Sequence, residues 1–270
     1  MNKDTLDWKE LILQSSERVQ NTVERLQSSG TRTEVVGIGA SGDKTLLADR
    51  EAERTLIDAL SKIGGVRIMS EESGEIGERG AKLLAIVDPL DGSSNFERQI
   101  PFYCTSIAMV KGSSLTNIEA ALVRNLVTGD VYYAEKGKGA TKNGKRIFTS
   151  KARELTKAVV GVDLSRIDER TYASLARLTT SANRQVHFGA NALELCFLAE
   201  GIIDAFVDVR GKTRIVDFAG GYLIAKEAGA TFSQKSGAEL LPRLEMKERF
   251  DFVASANSWL HAVILTALKE

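Results

Sequence analysis

An α/β fold is the class that the order of apolar patterns along this chain predicts, and three observations carry it. Short branched apolar runs of strand length recur, as at residues 66–70, 83–87 and 104–110. Between and after them lie longer segments whose apolar residues return every three or four positions, as at residues 6–26, 46–62 and 190–200. Glycine, serine and asparagine clusters punctuate the boundaries. A continuous or alternating short run suits a strand, and a period near 3.6 suits a helix with one buried face.

Taken in order, residues 6–26 set Leu11, Val19, Val23 and Leu26 on one side of a helix that Ser28-Ser29-Gly30 ends. Residues 31–45 are polar and glycine-rich and read as a loop, in which Asp43 and Lys44 are candidate site groups, although Asp43 also suits a helix cap. A second helix over residues 46–62 carries Asp49 within the charged run 48–53. Strands follow near Val66 and Leu83 and over residues 104–110, 118–124 and 131–135, with Asn143-Gly144 marking a hairpin turn. After Lys151 the pattern alternates: a strand over 158–163, helices over 169–179 and 190–200, a strand over 203–209 and a helix over 218–228. Residues 233–247 are diffuse and read as a surface loop before a terminal strand over 252–255. No repeat or long linker interrupts the chain. It reads as one compact unit with a soft boundary between an α+β part, residues 1–150, and an α/β part, residues 151–270.

Composition narrows the function classes. A chain of 270 residues with 43% hydrophobic content can bury a large core. Its 36 basic and 36 acidic residues cancel, which argues against a nucleic-acid stripe or an anionic-membrane surface. No apolar stretch reaches transmembrane length and the N-terminus is charged rather than signal-like, so a cytoplasmic location is expected. Cys104 and Cys196 sit in strand-like and helix-like apolar contexts and are expected as reduced, buried thiols.

Chemistry concentrates in the segment Val87-Asp88-Pro89-Leu90-Asp91-Gly92-Ser93-Ser94-Asn95-Phe96. The apolar run before it predicts a strand buried on both faces, which Pro89 should stop, so that Asp88 and Asp91 leave the strand end together. Gly92, Ser93 and Ser94 then offer backbone N–H groups and hydroxyls to an anion, though an Asx-Pro turn with a glycine exit explains the same residues. Upstream, Glu71-Glu72-Ser73-Gly74 again ends a strand in carboxylates. Downstream, Ile215-Val216-Asp217-Phe218-Ala219-Gly220 puts an acid at a helix start, where a helix N-cap is the plainer reading. Carboxylate oxygens suit the hard cation Mg2+, which prefers six oxygens at ~2.1 Å and keeps several waters. The two histidines, His187 and His261, lie far from these acids in sequence and lack zinc spacing, as do the cysteines. Close carboxylates repel by ~4 kcal/mol per pair at ~4 Å and an effective dielectric near 20, a cost that divalent cations reverse.

As a set, Asp43 and Asp49, then Glu71-Glu72-Ser73, then Asp88 to Phe96, then Val216-Asp217 with Ala219-Gly220, resemble the inositol monophosphatase and fructose-1,6-bisphosphatase superfamily. The resemblance runs from about Asp43 to the C-terminal helix. It implies a layered αβαβα sandwich and a phosphomonoesterase that uses two or three Mg2+ ions, with Mn2+ as a substitute. It implies one metal on Glu71, Asp88 and the carbonyl of Leu90, and a second on Asp88, Asp91 and Asp217. A third, weaker position shares Glu71. The attacking water would be activated by metal and oriented by Ser93 with Asp49 as base, with phosphate against Asp91, Gly92 and Ser93.

Substrate contacts are implied at Gly189 and Ala190, and at Asp208 and Arg210, for ring hydroxyls and a second phosphate, although an edge-strand surface pair would also explain the last two. Val216 in place of a common Trp, Asn191 in place of a small apolar residue, and the slightly longer stretch at Lys212-Thr213-Arg214 set the chain apart from strictly inositol-specific members. The pattern from Asp208 to Asp217 is closer to archaeal-type members, which act on inositol 1-phosphate and fructose 1,6-bisphosphate. A nucleotide-directed phosphatase for 3′-phosphoadenosine phosphate or NADP is the alternative enzyme, and a non-catalytic RNA or transcription partner the alternative outside enzymes. Relatives are usually homodimers, and neither nucleic acid nor membrane is an expected partner of the phosphatase.

Overall fold

Helix α1 (Trp8–Ser29) buries Ile12, Val19 and Val23 as one stripe, with Leu26 packed beside it. The computed structural model describes residues 8–29, 31, 33–40, 42, 44–78 and 80–269, so the predicted helix start at Leu6, the stop at Gly30 and the candidate Asp43 lie outside the described residues. Where a plain loop was expected, the chain forms a hairpin of β1 (Val35–Ile38) and β2 (Lys44–Leu46), which carries the β-branched Val35, Val36 and Ile38. The Ala40 amide donates to the Glu72 carbonyl at 2.8 Å and the Thr45 hydroxyl donates to the Glu72 carboxylate, which docks the hairpin on the acid-bearing turn. Helix α2 (Leu47–Leu60) then packs against α1.

An eight-stranded sheet follows, built from β3 (Val66–Ser70), β4 (Gly74–Gly77), β5 (Leu83–Asp91), β6 (Cys104–Val110), β7 (Ile118–Asn125), β8 (Val131–Glu135), β9 (Gly139–Lys142) and β10 (Lys145–Arg146), with the short helix α3 (Ser93–Arg98) between β5 and β6. The spatial order is β10-β9-β8-β7-β6-β5-β3-β4, parallel only between β3 and β5. The expectation that Pro89 ends its strand is corrected: β5 continues to Asp91. Asp88 lies opposite Ser106 and Asp91 opposite Cys104, so three steps on β5 match two on β6, and the proline sits in that bulge where the ladder needs no N–H.

The second half contributes β11 (Val159–Val162), α4 (Glu169–Ser174), α5 (Ala176–Ser181), β12 (Arg184–Val186), α6 (Asn191–Glu200), β13 (Ala205–Thr213), α7 (Ile215–Ala228), β14 (Thr231–Ser233), β15 (Phe250–Ser255) and α8 (Ser258–Ala267). Its strands order as β12-β11-β13-β15-β14. The single helix expected over 169–179 is divided at the buried Leu175. Helix α7 starts at Ile215, three residues before the predicted start, so Asp217 is inside the first turn rather than its cap. Residues after Ser233 form no regular element before β15 beyond one isolated bridge, but Leu240 and Leu244 fasten that stretch to the core.

Three apolar clusters define the layers. One joins α1 and α2 to the first sheet, a second joins the other face of that sheet to α6, α7 and the second sheet, and a third joins the far face of the second sheet to α5 and α8. The succession is αβαβα. Helix α7 is buried nearly all round between the sheets. A Cβ on Gly220 would lie 2.2 Å from the Ser106 hydroxyl, and one on Gly221 2.7 Å from Leu195 Cβ, so both glycines allow the helix to approach β6 and α6. Among the described residues no helix is long and apolar enough to cross a membrane.

Candidate active site

The parallel pairing of β3 with β5 sets Ser70 beside Val87, and the next residue on each strand is an acid. Glu71 and Asp88 are thereby neighbours. Asp217 reaches them from the first turn of α7, and oxygens of the three carboxylates lie within 4.8 Å of one another. Asp91 lines the same cavity, its Oδ2 accepting the Ala192 amide at 2.8 Å and facing the Cys104 thiol at 3.6 Å. The cavity measures about 610 Å3. Leu90, Gly92, Ser93 and Ser94 line it beside the acids, and Ser165, Arg166, His187, Gly189 and Asn191 line it from the second half.

Burial and mutual repulsion make Glu71, Asp88 and Asp91 reluctant to ionise. Burial pushes the Glu71 carboxyl up to about 8, outweighing the Arg214 guanidinium beside it, and Asp217 adds repulsion. Burial pushes Asp88 well above the carboxylate range, with Glu71, Asp91 and Asp217 adding to it. Asp91 is pushed up to about 7 by burial and then by Asp217. Converging carboxylate oxygens match the donor chemistry of a hard divalent cation. Arg214 supplies a positive charge within the cluster: Nη1 lies 2.6 Å from Glu71 Oε1, while Nε and Nη2 donate to the two Asp217 oxygens at 2.8 and 2.9 Å.

The other predicted residues divide. Ser93, Gly92 and Gly189 line the cavity. Ala190 does not; it is buried, with its Cβ 3.1 Å from the place a Cβ on Gly92 would occupy, and it acts as packing. Asp208 is corrected as a binder of ring hydroxyls, because it is fully buried and its oxygens accept from the Arg210 amide, Nε and Nη2 and from the Thr213 hydroxyl. Arg210 lines the cavity, yet its guanidinium is spent on Asp208, on Asp163 and on the Ser165 carbonyl at 2.8 Å. It braces the loop after β11 instead of offering a free fork to a second phosphate. Asp49 is buried at the start of α2, where its Oδ2 accepts the Leu46 amide at 2.8 Å. Burial pushes Asp49 up to about 7, against the pull of that amide. Among the described residues no hydrogen bond joins Asp49 to Ser93, so the expected dyad is not made in this geometry.

Several site residues escape a reading of sequence. His187 is folded onto the cavity wall, with Nε2 3.0 Å from the Ser165 hydroxyl and 3.5 Å from Asp163 Oδ1. Glu194 accepts the Phe188 and Gly189 amides at 3.1 and 3.0 Å, and burial pushes its carboxyl up to about 8 against those two donors. Glu53, from α2, accepts the Glu72 and Ser73 amides at 3.2 and 2.9 Å and the Ser73 hydroxyl, which clamps the turn that presents Glu71. Asn95 donates to the Phe102 and Phe188 carbonyls at 2.8 and 2.6 Å and ties the two halves at the cavity edge. Arg214 had one legible sign, its place three residues before Asp217 where an ion pair along a helix start is in reach.

Comparison with known proteins places the chain among phosphatase relatives. The profile of the inositol monophosphatase family matches residues 9–270. The fructose-1,6-bisphosphatase/inositol-1-monophosphatase of Methanothermobacter thermautotrophicus is 35% identical over 98% of this chain and 98% of its own. The bifunctional NADP phosphatase/NAD kinase of Methanococcus maripaludis is 33% identical over 95% of this chain and 48% of its own. Among solved structures, the extragenic suppressor protein SuhB of Bartonella henselae superposes with a TM-score of 0.85 at 28% identity, over 97% of this chain and 98% of that one.

Proposed function

The chain belongs to the inositol monophosphatase family and is a phosphatase, and from that premise we propose that it is a Mg2+-dependent phosphomonoesterase for inositol 1-phosphate and fructose 1,6-bisphosphate. The observation that carries the proposal is the convergence of Glu71, Asp88 and Asp217 in a polar cavity that Ser165, His187 and Asn191 also line. Glu71, Asp88, Asp91 and Asp217, with the Leu90 carbonyl, would hold two ions, and a third weaker one would share Glu71. When bound, such cations stabilise the charge of a transferring phosphoryl group and acidify water.

The chain's own residues do the rest. Ser93 and Ser94 face the cavity beside the acids, where their hydroxyls can bind phosphate oxygen or orient the attacking water. Asp91 is held in place by the Ala192 amide, so it need not reorganise when substrate arrives. Asn191, Ser165 and His187 suit the hydroxyls of a polyol ring. His187 is the only ring-bearing side chain on the cavity wall among the described residues, which leaves no broad aromatic face for adenine and favours a polyol over a nucleotide. The similarity to an NADP phosphatase keeps that substrate in the test.

The test is phosphate release from inositol 1-phosphate, fructose 1,6-bisphosphate, NADP and 3′-phosphoadenosine phosphate, each with Mg2+ and with chelator. Chelator-sensitive release from the first two is expected. Release confined to the nucleotides would replace the substrate assignment, and release from none would bring forward a non-catalytic RNA or transcription-partner role, read by salt-dependent RNA retention. A homodimer is proposed by the same family membership, and light scattering at several concentrations checks it.

A further inference from the structure

We infer that Arg214 is the resident counter-cation of the acid cluster, and that a divalent ion loads by displacing its guanidinium from Glu71 and Asp217. The inference rests on the metal-dependent reading above and adds a residue to it. Both Asp217 oxygens and one Glu71 oxygen are engaged by Arg214, at 2.9, 2.8 and 2.6 Å. Those two residues supply two of the three carboxylates that converge within 4.8 Å. A cation binding there would share those oxygens at close range with a fixed positive charge, and a guanidinium cannot give up its charge to make room. Relief must come from movement of the side chain.

Its position permits that movement. Arg214 is the N-cap residue of α7, extended at φ −98° and ψ 155°, and its side chain makes no capping hydrogen bond to the backbone of the helix's first turn. Its side chain is 18% exposed and lines the open cavity, so rotation about side-chain bonds takes the guanidinium off the acids without disturbing α7. The competing account is a permanent brace in which Arg214 orients Asp217 for the metal. The two accounts differ in sign. A competitor weakens metal binding and a brace strengthens it.

The experiment is calorimetric titration of the chelator-stripped protein with MnCl2 alone, for the wild type, Arg214→Gln and Arg214→Lys, with far-UV circular dichroism as a check on folding. Loss of the competitor should lower the Mn2+ Kd of Arg214→Gln about tenfold, equal to ~1.4 kcal/mol. Arg214→Lys, which keeps the charge but loses the fork, should fall between. The metal-free Arg214→Gln protein should also melt below the wild type, and the ion should raise its melting temperature by more. An unchanged or weaker Kd in Arg214→Gln overturns the inference and leaves the phosphatase reading standing. Should Arg214→Gln fail to fold, the same outcome in Arg214→Lys overturns it. Absence of binding to both wild type and variants removes the metal-dependent reading and this inference with it.

Discussion

Glu53 carries no chemistry of its own, yet its removal should cost the protein both stability and metal. It is 3% exposed on α2, and its carboxylate receives the Glu72 and Ser73 amides and the Ser73 hydroxyl, so three donors lose their acceptor in Glu53→Ala. A hydrogen bond to a carboxylate contributes about 1.5–3 kcal/mol, and three on one group overlap because the turn relaxes as a unit. A loss of about 3 kcal/mol is the reasonable sum, which for a chain of this size is roughly 5 °C in Tm. Glu53→Gln keeps an acceptor for the amides and a donor for Ser73 and should lose only about 1 kcal/mol. Because the clamped turn presents Glu71, the Ala variant should also bind Mn2+ about tenfold more weakly, as supporting partners of metal ligands generally do. Urea unfolding in chelator gives the first quantity and calorimetry the second. If Glu53→Ala stays within 0.5 kcal/mol of wild type, a margin typical of neutral surface changes, the turn holds itself and the clamp argument is wrong.

Three further outcomes are expected. Asp91→Asn should cut phosphate release by about 100-fold or more with circular dichroism unchanged; retained turnover would sink the assignment of Asp91 to the metal. Gly92→Ala places a side chain at φ +90° with its Cβ 3.0 Å from the Phe102 carbonyl and 3.1 Å from Ala190 Cβ, so a loss of about 2 kcal/mol in urea unfolding should follow, and an unaltered midpoint would contradict it. Unfolded carboxyls ionise near pH ~4, whereas Asp49, Glu71 and Asp91 do so in the folded chain at about 7, 8 and 7. Between those limits the folded state holds more protons, so stability present at low pH is lost as pH rises toward 8. In chelator, Tm should therefore fall from pH 5 to 8, and the rise in Tm on adding Mg2+ should grow over the same window; a flat or rising Tm in chelator would refute the assignment.

Element type was legible wherever a short-range pattern decides it. The runs at 104–110 and 131–135 fold as the strands β6 and β8 with those bounds, and the Asn143-Gly144 pair turns with φ of 49° and 78°. What misled were residues whose local preference yields to a neighbour. Pro89 should end a strand, but a bulge against β6 gives it a place without an N–H. The helix expected from residue 218 begins at Ile215, because the space between two sheets accepts the branched Ile215 and Val216 as the first turn of α7. The acids of the site were legible because their spacing is local and their chemistry narrow. Asp208 and Arg210 do pair, but as a largely buried pair on an inner strand that also reaches Asp163, a setting that an alternating strand pattern does not reveal. His187 and Glu53 depend on contacts between distant segments, which no window along the chain displays, and Glu194 on a turn that brings the Phe188 and Gly189 amides back to it, which residue spacing does not display.

Helix α7, closed in by both sheets, carries Asp217, whereas Glu71, Asp88 and Asp91 belong to the first sheet and its turns. Neither half of the chain owns a complete set of oxygens. Ions held between them would therefore act as a rivet through two layers, the first sheet and α7, and their affinity would be a gauge of how well those layers are stacked. At a hundredfold excess over Kd, such a rivet contributes ~2.7 kcal/mol to the stacked arrangement and nothing to either half alone. A substitution deep in the interlayer packing, at Gly220 or Gly221 for instance, would then reach the chemistry as a weakened hold on the ion, with every oxygen ligand still in the sequence.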